Sequence, residues 1–230
     1  AFEDPTVGAA TGKLLRYDFD NDKALDIIDT TGVAYAKSGR GWDRGQHEVD
    51  HGQYDDKTAI IAVSGAGPMY RKSALEAVKE KREDGGTDYF DEDFHSYWED
   101  VDLGMRMTNI GLKCVFVPEA VAWHGRAASS SPGGYKKVLS FIKFHNNIPA
   151  RIRQLNFRNH IFLYIKNSPK FYWQFLFREI AMFGFVIIFE TSTLKALPAL
   201  WKLLPSTWRK RKRIQATRKI SAGDIEKLLY

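Results

Sequence analysis

The strongest local concentration of chemistry-bearing side chains is Trp98-Glu99-Asp100-Val101-Asp102-Leu103, placed where a loop enters a helix. A carboxylate in the first turn of a helix is favoured in its ionised form by the helix dipole. An ionised Asp100 there could act as a general base on a hydroxyl. Asp102 and Arg106 stand four apart and can pair along one face. The same residues also read as an acidic cap on an amphipathic helix, and these six alone leave both readings open. Trp123-His124-Gly125-Arg126 follows, its histidine 24 positions after Asp100 and at the end of a predicted strand. A histidine before a flexible glycine suits a metal or phosphate ligand at a sheet edge, and the alternative is an ordinary half-buried histidine.

Other strings compete with these. His47-Glu48-Val49-Asp50-His51 matches H-E-x-x-H, whose two histidines must share a helix face to hold zinc while the glutamate activates water. Gly45 and Gly52 enclose it and its surroundings read as loop, so a zinc metalloprotease through His47 and His51 is the remote alternative. Asp-x-Asp strings at Asp18/Asp20, Asp20/Asp22 and Asp91/Asp93 read as capping or chance in an acidic region. His95 and His145 lack partners at ligand spacing, which makes solvated or core roles the default. Arg71, directly after a turn rich in small residues, either meets a phosphate or is a surface arginine.

The elements that must position these groups follow from local pattern. Residues 7–19 read as a strand, and residues 25–63 as short strands punctuated by glycine, ending in the apolar strand Ala59–Val63. The turn Ser64–Arg71 leads into a helix from about Ser73 to Glu80, with Ser73 and Glu76 at capping-box spacing. A helix over about Glu99–Asn109 is stopped by Gly111. Lys113–Val117 and Ala120–Trp123 read as two strands separated by Pro118-Glu119, and Ala127–Gly134 as a loop, with a helical pattern beyond Tyr135.

Charge divides the chain. Residues 1–150 hold 18 basic and 24 acidic side chains, whereas residues 151–230 hold 16 and 4. With 44% hydrophobic residues the chain can bury a core, so disorder of the whole is excluded. Cys114 stands alone, which excludes an intramolecular disulfide and a cysteine-based zinc site, and fits a cytosol-facing location. The first residues show no signal-peptide pattern. Arg178-Glu179 interrupts the apolar run Phe171–Phe189, which argues against a simple membrane span. Trp201 and Trp208 lead into Arg209-Lys210-Arg211-Lys212-Arg213, and aromatics beside a polybasic cluster suit an interfacial helix on anionic lipid. A soluble extension packed on the main domain is the alternative; a nucleic-acid-binding tail is the least favoured.

Taken together, Val63–Arg71, Phe90–Phe94 with Tyr97–Leu103, and Val117–Ala120 with His124 resemble the family 2 glycosyltransferases of GT-A fold, particularly rhamnosyltransferase-like members, over about residues 1–170. The resemblance implies an α/β chain: the acceptor-side half of a GT-A domain over 1–150, then a basic, aromatic-rich helical extension over 151–230 on the membrane surface. It implies Asp100 as catalytic base within the Glu99-Asp100 motif, and Gly65, Ala66 and Gly67 in the acceptor and sugar pocket. Arg71, Trp98 and Asp102 would be further substrate contacts, and His124 a ligand of a donor-bound Mn²⁺ or Mg²⁺. The expected activity is inverting transfer from a nucleotide-sugar donor to a polysaccharide or lipid-linked glycan, peripheral to the cytoplasmic face of the membrane. The family's nucleotide-binding βαβ region and main Asp-x-Asp metal motif are expected before residue 1, which would leave the edges Val7–Leu15 and Ile60–Val63 unpaired. A truncated, non-catalytic module that binds glycan or membrane is the alternative.

Overall fold

The computed structural model describes residues 1–82, 84–125 and 147–230. Arg126, the loop Ala127–Gly134, the helical pattern beginning beyond Tyr135 and His145 fall outside the described residues.

The run Val7-Gly-Ala-Ala-Thr-Gly-Lys-Leu-Leu, small and apolar, makes the long strand β1 (Val7–Asp18), buried over most of its length. Burial on both faces marks a central strand. β9 (Lys113–His124) runs parallel to it, while β2 (Lys23–Thr30) and β6 (Pro68–Tyr70) pair antiparallel with different stretches of β1. β5 (Ala59–Ile60) completes a mixed five-strand sheet in the order β2-β1-β9-β5, with β6 beside β1. The expectation of an unpaired β1 edge is therefore corrected: β1 has neighbours on both sides. Of the expected strand Ala59–Val63 only two residues join the ladder, and Ile61–Val63 are buried, with Ala62 bridged to Val33 of β3 (Val33–Tyr35). β3 forms a small hairpin with β4 (Gly41–Asp43).

The two strands expected around Pro118-Glu119 are one strand. The register against β1 jumps from Gly12 opposite Val117 to Lys13 opposite Val121, so Pro118–Ala120 bulge out of the ladder, where a missing proline N–H does no harm.

Between β6 and β9 come α1 (Lys72–Val78), the short hairpin β7 (Glu80–Lys81) and β8 (Thr87–Asp88), and α2 (Glu99–Asn109). α2 occupies its expected range, and the chain leaves it through Gly111 at φ +84°. The Ser73–Glu76 capping box does not form: Arg71 is the N-cap, so Ser73 is already inside α1, and Glu76 pairs with Lys79 and accepts from Tyr89 Oη. Gly104 lets α2 lie against the sheet, since a Cβ there would stand 2.5 Å from Ala62 Cβ.

The C-terminal helices are α3 (Ala150–Asn167), α4 (Trp173–Phe189), α5 (Leu197–Thr217) and α6 (Ala222–Glu226), with the 3-10 turn Thr191–Ala196 between α4 and α5. α3 is not a separate extension. Phe162 and Leu163 share one core with Val33, Ile61, Phe94, Val101 and Met105, and Ile225 of α6 joins them. At the chain's end Tyr230 N donates to Tyr35 O and Lys37 N to Tyr230 O.

α4 is turned inside out. Its polar pair faces the protein, with Glu179 Oε2 2.8 Å from His160 Nε2 and Arg178 bonded to Glu179. Trp173, Phe177, Ile180, Ile187 and Ile188 are exposed, on a stripe of helical spacing. Among the described residues no single helix is long and apolar enough to cross a membrane; α4 reaches that length and apolarity only together with Thr191–Thr217, across a 116° bend.

Candidate functional site

A cleft of about 480 Å³ opens between the β3–β4 hairpin, the Ser64–Ala66 turn and the start of α2, with His124 at its side. Gly65, Ala66, Trp98, Glu99, Asp100 and His124 all line it, so the structure brings together most of the residues expected from the sequence.

Asp100 is half-buried within it. Its Oδ2 accepts from Gly65 N at 2.6 Å and its Oδ1 from Val101 N at 2.8 Å. A Cβ at Gly65 would stand 3.1 Å from that same Oδ2, closer than ordinary van der Waals contact. Burial pushes Asp100 up to about 6, opposed by the Gly65 and Val101 N–H groups and aided by Glu99 and Asp43. A neighbouring Glu99 oxygen is buried with no hydrogen-bond partner among the described residues. A carboxylate in this state is ionised at neutral pH yet basic enough to take a proton.

The loop that delivers Asp100 is strained. His95, Tyr97 and Trp98 all have positive φ, between 64° and 74°, a conformation that costs on the order of 1 kcal/mol or more for a non-glycine residue. Asn159 of α3, fully buried, holds it by donating Nδ2 to the carbonyls of Phe94, Ser96 and Tyr97 at 2.8–3.0 Å. Asn156, one turn earlier, accepts from Trp98 Nε1 at 2.9 Å. These two asparagines were not legible in the sequence, because they reach the loop across about 60 residues of chain. Asp43, which also lines the cleft, had as its only signal its place beside Trp42 in a glycine-bounded segment.

His124 ends β9, and its Nδ1 lies 2.9 Å from Oδ2 of the buried Asp29. Such a carboxylate fixes the ring and leaves Nε2 for the cleft, the arrangement usual for a ligating histidine. A cation site built by this chain alone does not fit the cleft. Among the described residues the only three metal-type ligands within 4.8 Å of one another are Glu80, Asp91 and Asp102, and these are already neutralised.

That second group corrects the placement of Asp102. Its carboxylate is fully buried, away from the cleft, and accepts from Arg106 Nε at 2.8 Å, Lys166 Nζ at 2.9 Å and Asn167 Nδ2 at 2.7 Å. Lys166 also meets Asp91 at 2.6 Å and Glu80 at 2.7 Å, and Lys210 meets Asp91 and Asp93. Burial would push Asp91 up, but Lys166 and Lys210 outweigh it and hold the carboxyl well below its ordinary range. Asp102 thus bonds the scaffold and does not face substrate.

Three further expectations are corrected. Arg71 ties down the N-terminal segment, donating to the carbonyls of Val7, Phe2 and Asp4, and stacks over Phe2, so it does not present itself to a phosphate. Gly67 packs beside Leu14, outside the cleft. The His47–His51 string lies in turns bridged to β2, with His47 at φ +70°; without a helix its histidines do not share a face, which removes the zinc-protease geometry.

The basic run divides by direction. Trp201 and Trp208 are 68% and 48% exposed, and Arg209 and Lys212 also face outward. Lys210 points into the acidic cluster, Arg211 donates to the carbonyls of Ile165 and Ser168, and Arg213 reaches Lys81 O and Glu80. A basic run on a helix cannot present every cation to one surface, because successive residues turn by about 100°.

Comparison with known proteins returns nothing: no family model, no curated protein and no solved structure matches the chain.

Proposed function

We propose that this chain carries the acceptor-activating part of an inverting glycosyl transfer, and that its mixed sheet with the flanking helices is the acceptor-side half of a GT-A domain. The observation that carries this reading is Asp100: a half-buried carboxylate in a cleft, raised to about 6, anchored by the Gly65 N–H and delivered by a strained loop. In the proposed reaction Asp100 takes the proton of an acceptor hydroxyl as its oxygen attacks the anomeric carbon of a nucleotide-sugar, and the nucleoside diphosphate leaves with the bonding electrons. Trp98 gives the cleft an aromatic wall against which a sugar ring can stack. His124, oriented by Asp29, is one ligand that this chain could add to a Mn²⁺ or Mg²⁺ arriving with the donor diphosphate.

The experiment is a transfer assay across nucleotide-sugar donors and glycan or lipid-linked acceptors, with the parent and Asp100→Asn. The variant should lose about 10²–10⁴-fold in turnover while keeping donor binding, and the parent's rate should rise with pH through about 6. A variant retaining more than half the activity would reject Asp100 as the base.

The exposed stripe of α4 supports a second reading of the same molecule, as a peripheral protein of an anionic membrane surface. Trp173, Phe177 and Ile180 would enter the interface, with the exposed cations Lys202 and Lys212 of α5 for lipid headgroups. This reading stands whether or not the chain is catalytic, and so also covers a module that only binds glycan or membrane. The full chain should sediment with anionic vesicles, less strongly in high salt, and Phe177→Asp with Ile180→Asp should abolish sedimentation. Undiminished sedimentation of that double variant would overturn it.

A further inference from the structure

A second concavity, of about 240 Å³, lies on the other side of the Asp100-bearing loop, between α3, the Thr191–Ala196 turn and the start of α5. Among the described residues three cations converge on it, Arg151, Arg158 and Lys195, together with His95 and Gln154, and no carboxylate lines it. Like charges gathered on a partly apolar wall repel one another, and an anion relieves that repulsion.

The donors are available. Arg158 uses Nη2 on the carbonyls of Asp93 and Phe94 and Nε on Asn159 Oδ1, which leaves both protons of Nη1 without a partner among the described residues. Among the described residues Arg151 has one hydrogen bond, Nη2 to His95 Nε2 at 2.9 Å, and Lys195 forms no ion pair. Asp93, beside Arg158 through its carbonyl, has its carboxylate engaged by Lys210 and Ser206. Two guanidinium groups and an ammonium around a small volume match the several oxygens of a phosphate better than the single plane of a carboxylate.

The pocket and the cleft share a wall. His95 lines the pocket while Ser96 to Asp100 line the cleft, and on α3 Arg158 faces the pocket while Asn156 faces the cleft. The turn that supplies Lys195 begins directly after α4, whose exposed apolar stripe reaches Ile188. We propose that this pocket binds a phosphate or diphosphate group, and that the group is the anionic head of a lipid-linked acceptor whose sugar end lies in the cleft. The second half of the proposal rests on the transfer reading above; the anion site does not.

Calorimetric titration of the full chain with inorganic pyrophosphate tests the site. The parent and Asp100→Asn should bind alike, and the double variant Arg151→Gln with Lys195→Gln should bind about tenfold or more weakly, as expected for lost charge-assisted hydrogen bonds, with an unchanged melting temperature. Both side chains are exposed, which keeps the fold out of the measurement, and Arg158 is left intact because it also braces Phe94 O. No binding by the parent, or equal binding by the double variant, overturns the anion site. Titration with farnesyl diphosphate separates the sources. Tighter binding than pyrophosphate, weakened by the same double variant, supports the lipid-linked acceptor, and equal or weaker binding overturns that assignment. Because Asp100→Asn should leave pyrophosphate affinity intact, failure of the pocket and failure of the base are separate results.

Discussion

The cleft around Asp100 and the buried cluster around Asp102 start from the same turn of α2, two residues apart, and treat a carboxylate in opposite ways. Two residues on an α-helix point about 200° apart, so one faces the cleft and the other the interior. Asp102 meets Arg106, Lys166 and Asn167, while Asp100 meets backbone N–H groups and has Glu99 and Asp43 as its acidic neighbours. Compensated charge makes a joint between helices and sheet; a carboxylate whose burial, aided by nearby acids, outweighs two N–H donors keeps a raised proton affinity and can take part in chemistry. α3 serves both regions, bracing the cleft loop with Asn156 and Asn159 and closing the cluster with Lys166 and Asn167.

The largest effect should come from the compensated side. Lys166→Met would leave Glu80, Asp91 and Asp102 buried around a missing cation, and loss of one partner of such a group destabilises by about 3–5 kcal/mol. Urea unfolding measures it, and a loss well under about 1 kcal/mol would show that the cluster is not the joint described.

The uncompensated side predicts the reverse sign. An Asp100 raised from 3.8 to about 6 stays protonated in the folded chain while the unfolded chain ionises, so stability falls as pH rises between those values and the penalty is complete above about 6. Asp100→Asn should therefore be more stable than the parent at neutral pH, by up to about 3 kcal/mol, with the difference vanishing below 3.8. Denaturation midpoints of both proteins from pH 3 to 8, on the order of one point per unit, check it. A difference that does not change with pH would place its origin elsewhere. Asp91 has the opposite slope: its carboxyl is depressed, so its contribution is present above 3.8 and is lost as pH falls further.

A smaller effect should follow at the brace between the two regions. Asn159→Ala removes the shared donor of three loop carbonyls, of which Phe94 O keeps Arg158, and should cost about 1–3 kcal/mol. Amide hydrogen exchange should quicken over residues 95–101, the strained segment, ahead of the sheet. Uniform acceleration across the chain would mean that Asn159 supports the fold generally rather than the loop.

The extent of α2, its stop at Gly111, the central strand and the candidates Asp100 and His124 were legible because their signals are local: helix periodicity, a glycine after the last periodic residue, an apolar run, an acidic helix start and a histidine at a strand end, whereas Gly65 entered only through the family resemblance. The roles of Arg71, Asp102 and Lys210 were not, since a charged side chain's partner lies wherever the fold brings an opposite charge. Lys166 is 75 residues from Asp91, and Lys210 is 119 from it. The sequence by itself determined the mixed α/β character, the acidic first part and the basic second part, and the motif at Asp100. Only the tertiary structure decided that those two parts share one core and neutralise each other across it, because burying a carboxylate is tolerated only where a cation is delivered to it, and delivery is a property of packing.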